Sequence, residues 1–196
     1  MNNKLKGEKT LLRSRYRELR NGINKAEKDG FDDLIFQRII SHELYKECKI
    51  VLAYYSINSE IDTLKLINYS LNIGKPIALP RCNADRTISF YIINSLDNLE
   101  VYSYGIAEPI ENFDTLVRSF DGSLCIVPAF AYDMNGFRLG YGGGYYDRFL
   151  SSHKDITTLG ICYSACLTDS LINEEHDISI EYLMTEKDFV EVYDGK

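Results

Sequence analysis

Residues 124–150 read LCIVPAFAYDMNGFRLGYGGGYYDRFL. The run Leu124 to Pro128 is apolar and β-branched at the length of a buried strand, and Asp133-Met134-Asn135-Gly136 has the composition of a turn. After the turn comes a glycine-rich loop opening into a helix. Glycines let backbone approach an anion closely, and the first N–H groups of a helix, with its dipole, favour negative charge there. Arg138 sets a permanent cation beside this loop, suited to two-point contact with phosphate. Asp147 places a carboxylate just inside the helix, where a phosphate-bound Mg²⁺ can take an oxygen ligand.

The loop itself is Arg138-Leu139-Gly140-Tyr141-Gly142-Gly143-Gly144-Tyr145-Tyr146-Asp147. A dinucleotide-binding fingerprint would need glycine at 145, where tyrosine stands, and a Walker loop would need Gly-Lys-Ser or Gly-Lys-Thr at its end. Neither pattern fits. The competing structural reading is a glycine turn whose tyrosines only pack on the sheet.

Outward from this segment, helices and strands alternate. Lys4 to Asn24 keeps apolar residues largely at three- and four-residue spacing and predicts an amphipathic helix ending near Gly22. A second helix is expected over Phe31 to Tyr45, and a third from about Asp62 to Ile73, stopped by Gly74. Strands are expected at Lys49 to Ser56, Pro76 to Pro80, Thr87 to Ile93, Leu124 to Pro128 and Thr158 to Tyr163, with two more at Tyr182 to Thr185 and Phe189 to Tyr193. That alternation indicates an α/β fold, a mostly parallel sheet flanked by helices on both faces. Residues 94–121 are the least regular, with Glu108-Pro109 held extended by the proline.

On the first helix Lys9, Arg13, Arg17 and Arg20 form a basic stripe beside the apolar face. A solvated flank is one reading of it, a local anion site the other. The chain as a whole is acidic, with a net charge of −7, so nucleic acid is not an expected partner. Its 196 residues suffice for one domain that buries about 70% of its unfolded surface without staples. The five cysteines are odd in number and form no CxxC pair, which argues against a zinc ribbon and a secreted disulfide framework. With no apolar run at the N-terminus or of membrane-spanning length, a cytoplasmic location away from membranes is expected. Three scattered histidines, His42, His153 and His176, make neither a metal site nor a triad.

The string RLGYGGGYYD, preceded by VPAFAYDMNG, resembles the signature of the 5-formyltetrahydrofolate cyclo-ligases, also called methenyltetrahydrofolate synthetases. The likeness continues in register through Lys9 and Arg13, Glu60, Leu79-Pro80-Arg81, Glu108-Pro109 and Glu175-His176-Asp177, so it spans nearly the whole chain. It implies one domain over residues 1–196, with an architecture similar to that of sugar-phosphate isomerases and CoA transferases. It also implies an ATP- and Mg²⁺-dependent ligase that cyclises a reduced folate, 5-formyltetrahydrofolate, to 5,10-methenyltetrahydrofolate. Carried over to this sequence, the ATP site comprises Lys9, Arg13 and the loop Arg138, Leu139, Gly140, Tyr141, Gly142, Gly143, Gly144, Tyr145 and Tyr146. The folate site comprises Tyr55, Glu60 and residues Tyr141, Gly142, Gly143, Gly144 and Tyr145, and the metal carboxylates are Asp147 and Asp177.

Arg138 and Glu60 are the residues expected to carry the reaction, Arg138 at the phosphate and Glu60 at the amino-pyrimidine edge of the pterin. A helix-start glutamate stabilised by the dipole is the alternative for Glu60, and core packing is the alternative for the tyrosines. Gly143 stands where certain relatives carry a loop lysine, and Ala129 where glycine is frequent. A monomer is expected. The rivals in function are a non-catalytic folate- or nucleotide-binding regulator and a phosphosugar isomerase, which would use no ATP.

Overall fold

The computed structural model describes residues 3–101 and 105–192. Its centre is a seven-stranded sheet of β1 (Ile50–Leu52), β2 (Ile77–Cys82), β3 (Ile88–Ile92), β6 (Ser123–Val127), β9 (Thr157–Ile161), β11 (Tyr182–Met184) and β12 (Phe189–Glu191). The order is β12-β11-β9-β6-β1-β2-β3. The four inner pairings are parallel, and β3 and β12 close the edges antiparallel. Parallel strands covered on both faces read as continuous apolar runs, and β1 and β6 are buried at every position.

The two faces form two cores. Along β6, Leu124 and Ile126 belong to one cluster and Cys125 and Val127 to the other, as the two-residue strand period requires. α1 (Asn3–Gly22) and α5 (Tyr145–Ser152) cover the Cys125 face through Leu12, Tyr16, Leu19, Phe149 and Leu150. α2 (Lys25–Ser41), α3 (Glu43–Glu47) and α4 (Leu64–Asn72) cover the other through Ile35, Ile39, Tyr45, Leu66 and Ile67. Two small sheets complete the fold, β4 (Leu99–Val101) with β5 (Ala107–Pro109), and β10 (Leu167–Thr168) with β7 (Ala131–Asp133) and β8 (Arg138–Leu139).

The strands of the seven-stranded sheet lie within the expected stretches or within one residue or two of them, β7, β8 and β10 form where no strand is expected, and three further differences have local causes. α2 begins at Lys25 rather than Phe31, because Asn24 and Glu27 form a reciprocal cap: the Asn24 side chain accepts from the Glu27 N–H at 3.0 Å and donates to its carboxylate at 2.6 Å. The expected single helix over Phe31 to Tyr45 is broken at His42, whose Nδ1 accepts from the Leu44 N–H at 3.2 Å and caps α3. Residues 94–121 hold an antiparallel hairpin, β4–β5, which Arg81 ties to the main sheet by donating to the Pro109 carbonyl at 2.9 Å.

Candidate active site

The connectivity places the site. From β1 the chain passes through α4 to β2 on one side, and from β6 through α5 to β9 on the other, so the strand order reverses between β1 and β6. The crevice outside the carboxyl ends at such a switch point is where open α/β sheets bind ligands. Glu60 follows β1 there, Ala129 and Phe130 follow β6, and the glycine loop arrives from the β7–β8 hairpin. That hairpin turns at Gly136, whose φ is +79° and whose Cβ would fall 2.4 Å from the Ile180 carbonyl, so no other residue fits.

The loop has the geometry of an anion cradle. Gly142 and Gly144 adopt φ values of +96° and +65°, and Gly144 starts α5 with no side chain capping its first turn. The N–H groups there are therefore left to solvent or a ligand. Arg13 reaches in from α1 and donates from Nε to the Gly140 carbonyl at 2.7 Å, with its guanidinium 3.3 Å from where a Gly142 Cβ would stand. Burial pulls the Arg13 pKa down, opposed by the charge of Asp177. The Tyr145 ring lies over Gly143, 2.6 Å from the position of a Cβ there.

Beside the loop two cations, Lys9 and Arg138, meet three carboxylates, Asp147, Glu174 and Asp177. Lys9, 7% exposed, donates to Asp177 at 2.8 Å and to Glu174 at 3.1 Å. Burial acts to lower the Lys9 pKa, but these two hydrogen bonds and the carboxylate charges outweigh it and hold the pKa raised. Arg138, with a side chain 4% exposed, donates to Asp147 and to the Ile178 carbonyl. Asp147 Oδ1 also accepts the Ile178 N–H at 3.2 Å. Arg138 thus commits two of its N–H groups to protein acceptors, and the two-point phosphate contact expected of it would require an exchange of partners.

The donor set tests a divalent cation. Among the described residues no group of three or more His, Cys, Asp or Glu stands ready to hold a metal ion. Mg²⁺ needs no such cage, since it keeps several waters and binds through one or two carboxylates with substrate phosphates. Asp147 and Asp177 fit that mode, each having one oxygen outside the described hydrogen bonds.

On the opposite flank Tyr141, the second residue of the loop after β8, donates its hydroxyl proton to Glu60 Oε1, and the Ile57 N–H donates to Oε2 at 2.8 Å. Glu60 is half-buried, so burial raises its pKa, against the hydrogen bonds from Tyr141 and Ile57 and the charges of Arg20 and Lys28. The Tyr141 ring packs on Phe130 with centroids 4.6 Å apart. Tyr55 is half-buried among the residues of the α2–α4 face, and its neighbour Tyr54 is the tyrosine whose hydroxyl senses Glu60 and Tyr141. Leu139 is buried and joins the site only through its backbone, its carbonyl accepting from the Phe130 N–H at 2.8 Å. The Tyr146 hydroxyl is buried without a hydrogen-bond partner among the described residues.

Every site residue expected from the sequence other than Tyr55 therefore lies on the loop or makes a described contact with it or with the charged cluster. Three participants carry no clear sign in the sequence. Glu174 shares Lys9 with Asp177, and its own N–H donates back to Asp177 at 2.8 Å, a short-range turn for which Asp177 is the one available cue. Phe130 reads as an ordinary core aromatic. Arg148 donates to the carbonyls of Gly143 and Arg86, both at 2.7 Å, and so clasps the loop to the β2–β3 hairpin.

The model of the 5-formyltetrahydrofolate cyclo-ligase family matches residues 5–186. The chain is 30% identical over 155 residues to a probable 5-formyltetrahydrofolate cyclo-ligase of Caenorhabditis elegans, covering 76% of this chain and 75% of that protein. It is 24% identical over 173 residues to the 5-formyltetrahydrofolate cyclo-ligase of Haemophilus influenzae, covering 86% and 92%. The NMR structure of Aquifex aeolicus 5,10-methenyltetrahydrofolate synthetase superposes with a TM-score of 0.82 at 31% identity, over 96% of this chain and 94% of that one. A Mycoplasma pneumoniae 5,10-methenyltetrahydrofolate synthetase shares the fold, with a TM-score of 0.69 at 23% identity, over 91% and 98%. With its switch-point crevice, its glycine cradle and a family match running almost from end to end, the chain belongs to the 5-formyltetrahydrofolate cyclo-ligase family.

Proposed function

We propose that this chain uses ATP to close the ring of 5-formyltetrahydrofolate, giving 5,10-methenyltetrahydrofolate, ADP and phosphate, with the triphosphate on the glycine loop and the pterin at Glu60. One observation carries the assignment of the two subsites. Adjacent loop residues face opposite ways, Gly140 accepting from Arg13 of the cationic cluster and Tyr141 donating to Glu60. A single short loop thus touches both subsites, as a transfer between two bound molecules requires.

The chemistry asks little covalent work of the protein. The formyl oxygen attacks the terminal phosphorus and ADP leaves; the N10 lone pair then adds to the activated carbon, N10 loses its proton and phosphate departs. Positioning and neutralisation of phosphate charge are what accelerate such a sequence. Arg13 and the N–H groups from Gly142 to Tyr146 supply donors that the fold already fixes. Lys9 is paired with Asp177, and Arg138 with Asp147, in the resting site. In the loaded site each carboxylate would turn an oxygen to Mg²⁺ and each cation would turn to phosphate. Bound Mg²⁺ would supply further charge neutralisation on the phosphates.

Glu60 accepts the paired N–H groups of the amino-pyrimidine edge, and Tyr55, Tyr141 and Tyr145 offer aromatic surface to the folate. No helix of the described residues is long and apolar enough to cross a membrane. The net charge of −7 disfavours nucleic acid. The reading is of one domain acting as a cytoplasmic monomer. The test mixes purified protein with 5-formyltetrahydrofolate, ATP and Mg²⁺ and follows the near-ultraviolet absorbance of the methenyl product. A rise that requires ATP and Mg²⁺ is expected, and no rise, or a rise indifferent to nucleotide, overturns the proposal.

A further inference from the structure

The last turn of α1 ends in a buried cation that neither subsite has used. Arg20 is 6% exposed, and among the described residues no carboxylate lies within ion-pair distance of it. Its Nε has no hydrogen-bond partner among them. Next to it lies a cavity of about 10 Å³, room for one water, lined in part by Tyr54, Phe130, Cys162 and Tyr163. The guanidinium carbon stands 4.8 Å from the Phe130 ring centroid, and Arg17 lies 5.3 Å from that centroid. Phe130 in turn packs on Tyr141. An arginine on a terminal turn could extend to solvent, and burying its charge without a counter-ion is unfavourable. Something in the site must compensate for it.

The hydrogen bonds indicate what. Arg20 faces the Tyr141 hydroxyl and acts to lower its pKa, against burial and the Glu60 charge, and that hydroxyl donates to Glu60 Oε1. A guanidinium has donors only, so toward Arg20 the Tyr141 oxygen can act only as an acceptor, and its single proton is left for the carboxylate. The interactions therefore run in one direction, from Arg20 on Phe130 to Tyr141 and on to Glu60. The groups facing Glu60 are Tyr141 from the loop, Arg20 from α1, Lys28 from α2, Tyr54 after β1 and the Ile57 N–H. Arg20 and Lys28 are the cations among them. Tyr141 itself stays protonated, since burial and the Glu60 charge both raise its pKa.

We propose that Arg20 is a positioning residue for folate recognition: through Tyr141 it orients the donor bond to Glu60 and holds Glu60 as the anion that accepts the amino-pyrimidine edge of the reduced folate. This rests on the assignment of Glu60 to the pterin. It also gives the buried arginine its compensation, a carboxylate one hydroxyl away rather than in direct contact.

The test measures 5-formyltetrahydrofolate affinity by fluorescence titration from pH 5 to 8, without nucleotide, in the parent protein and in Arg20→Gln, Arg20→Lys, Tyr141→Phe and Glu60→Gln. The ligand's own titrations are common to all five. In the parent, affinity falls on the acid side as Glu60 takes up a proton. Arg20→Gln should move that acid limb to higher pH and weaken binding on the order of tenfold near pH 6, as a one-unit shift requires. Arg20→Lys should return the limb toward its parent position. A loss of stability or affinity in Arg20→Gln with the limb unmoved overturns the inference. Should Arg20→Gln fail to fold, Tyr141→Phe keeps it testable, because cutting the relay should move the limb the same way, and an unmoved limb refutes it. Glu60→Gln separates the two readings: if it leaves affinity and limb as in the parent, the pterin assignment fails. If it abolishes the limb while Arg20→Gln leaves the limb in place, only the role of Arg20 fails.

Discussion

Replacing Gly140 by alanine isolates the loop's proposed ligand from the loop's own folding. Gly140 has no positive φ, and a Cβ built on it meets nothing within 4 Å. The free protein should therefore tolerate the methyl, with a stability change of about ±0.5 kcal/mol and a shift in Tm of about 1–2 °C. A triphosphate seated against this backbone changes the account, because the open space is then the space that the ligand occupies. Forcing one methyl into a close-packed contact costs about 1–3 kcal/mol, which at about 1.36 kcal/mol per decade raises the Kd for ATP by about 5- to 150-fold. Gly142→Ala is the contrast. Its φ of +96° and its approach to Arg13 at 3.3 Å strain the free loop itself, at about 1–3 kcal/mol, so Tm should fall together with nucleotide affinity. Thermal denaturation and calorimetric titration of ATP with Mg²⁺ read both quantities. If Gly140→Ala binds ATP as the parent does, the phosphates do not lie on this loop and the reasoning is wrong.

Other parts of the structure carry their own expected outcomes. Lys9→Met should leave Glu174 and Asp177 facing each other without their cation, lowering stability by about 2–3 kcal/mol, below the range for fully buried pairs because both carboxylates keep some exposure; urea unfolding would show this, and ATP affinity should fall with it. Gly160→Ala would push a Cβ to within 2.3 Å of Ile180 and 2.6 Å of the Tyr132 ring, so a loss of roughly 1–3 kcal/mol or more is expected, read as a lower Tm with no route through the ligand sites. Glu108 is 2% exposed, and burial raises its pKa against its hydrogen bonds with Cys82. A raised carboxylate adds stability at low pH that is lost as pH rises through its folded-state pKa. Glu108→Gln should therefore raise Tm at pH 7 and leave it nearly unchanged at pH 4, and equal effects at both pH values would contradict the assignment.

How much can be read from residues alone differs between elements. The parallel sheet is legible because β1 and β6 are buried on both faces and write that burial as unbroken apolar runs. The end of α1 and the start of β11 are legible for similar reasons of pattern. The start of α2 is not, since the Asn24 to Glu27 cap outweighs the weak periodicity of the residues between Lys25 and Phe31. The β4–β5 hairpin escapes because strands of three residues carry too little alternation to register. At the site, the glycine loop announces itself through composition. The pairing of Arg138 with Asp147 joins positions nine residues apart and that of Lys9 with Asp177 positions 168 apart, and no local pattern encodes contacts of that kind. Arg20 shows the same limit from the other side. In sequence it is one more member of a basic stripe, and only the packing of Phe130 against it, with Tyr141 on Phe130, marks it as buried.

The central claim is that backbone N–H groups of the glycine turn hold the triphosphate beside a folate read by Glu60. A crystal structure with Mg²⁺, a non-hydrolysable ATP analogue and 5-formyltetrahydrofolate tests it directly. Phosphate oxygens within hydrogen-bonding distance of the N–H groups between Gly142 and Tyr146 and of Arg13, with the pterin against Glu60, is the predicted result. A nucleotide bound elsewhere while the loop keeps its tyrosines packed as in the free protein would contradict it.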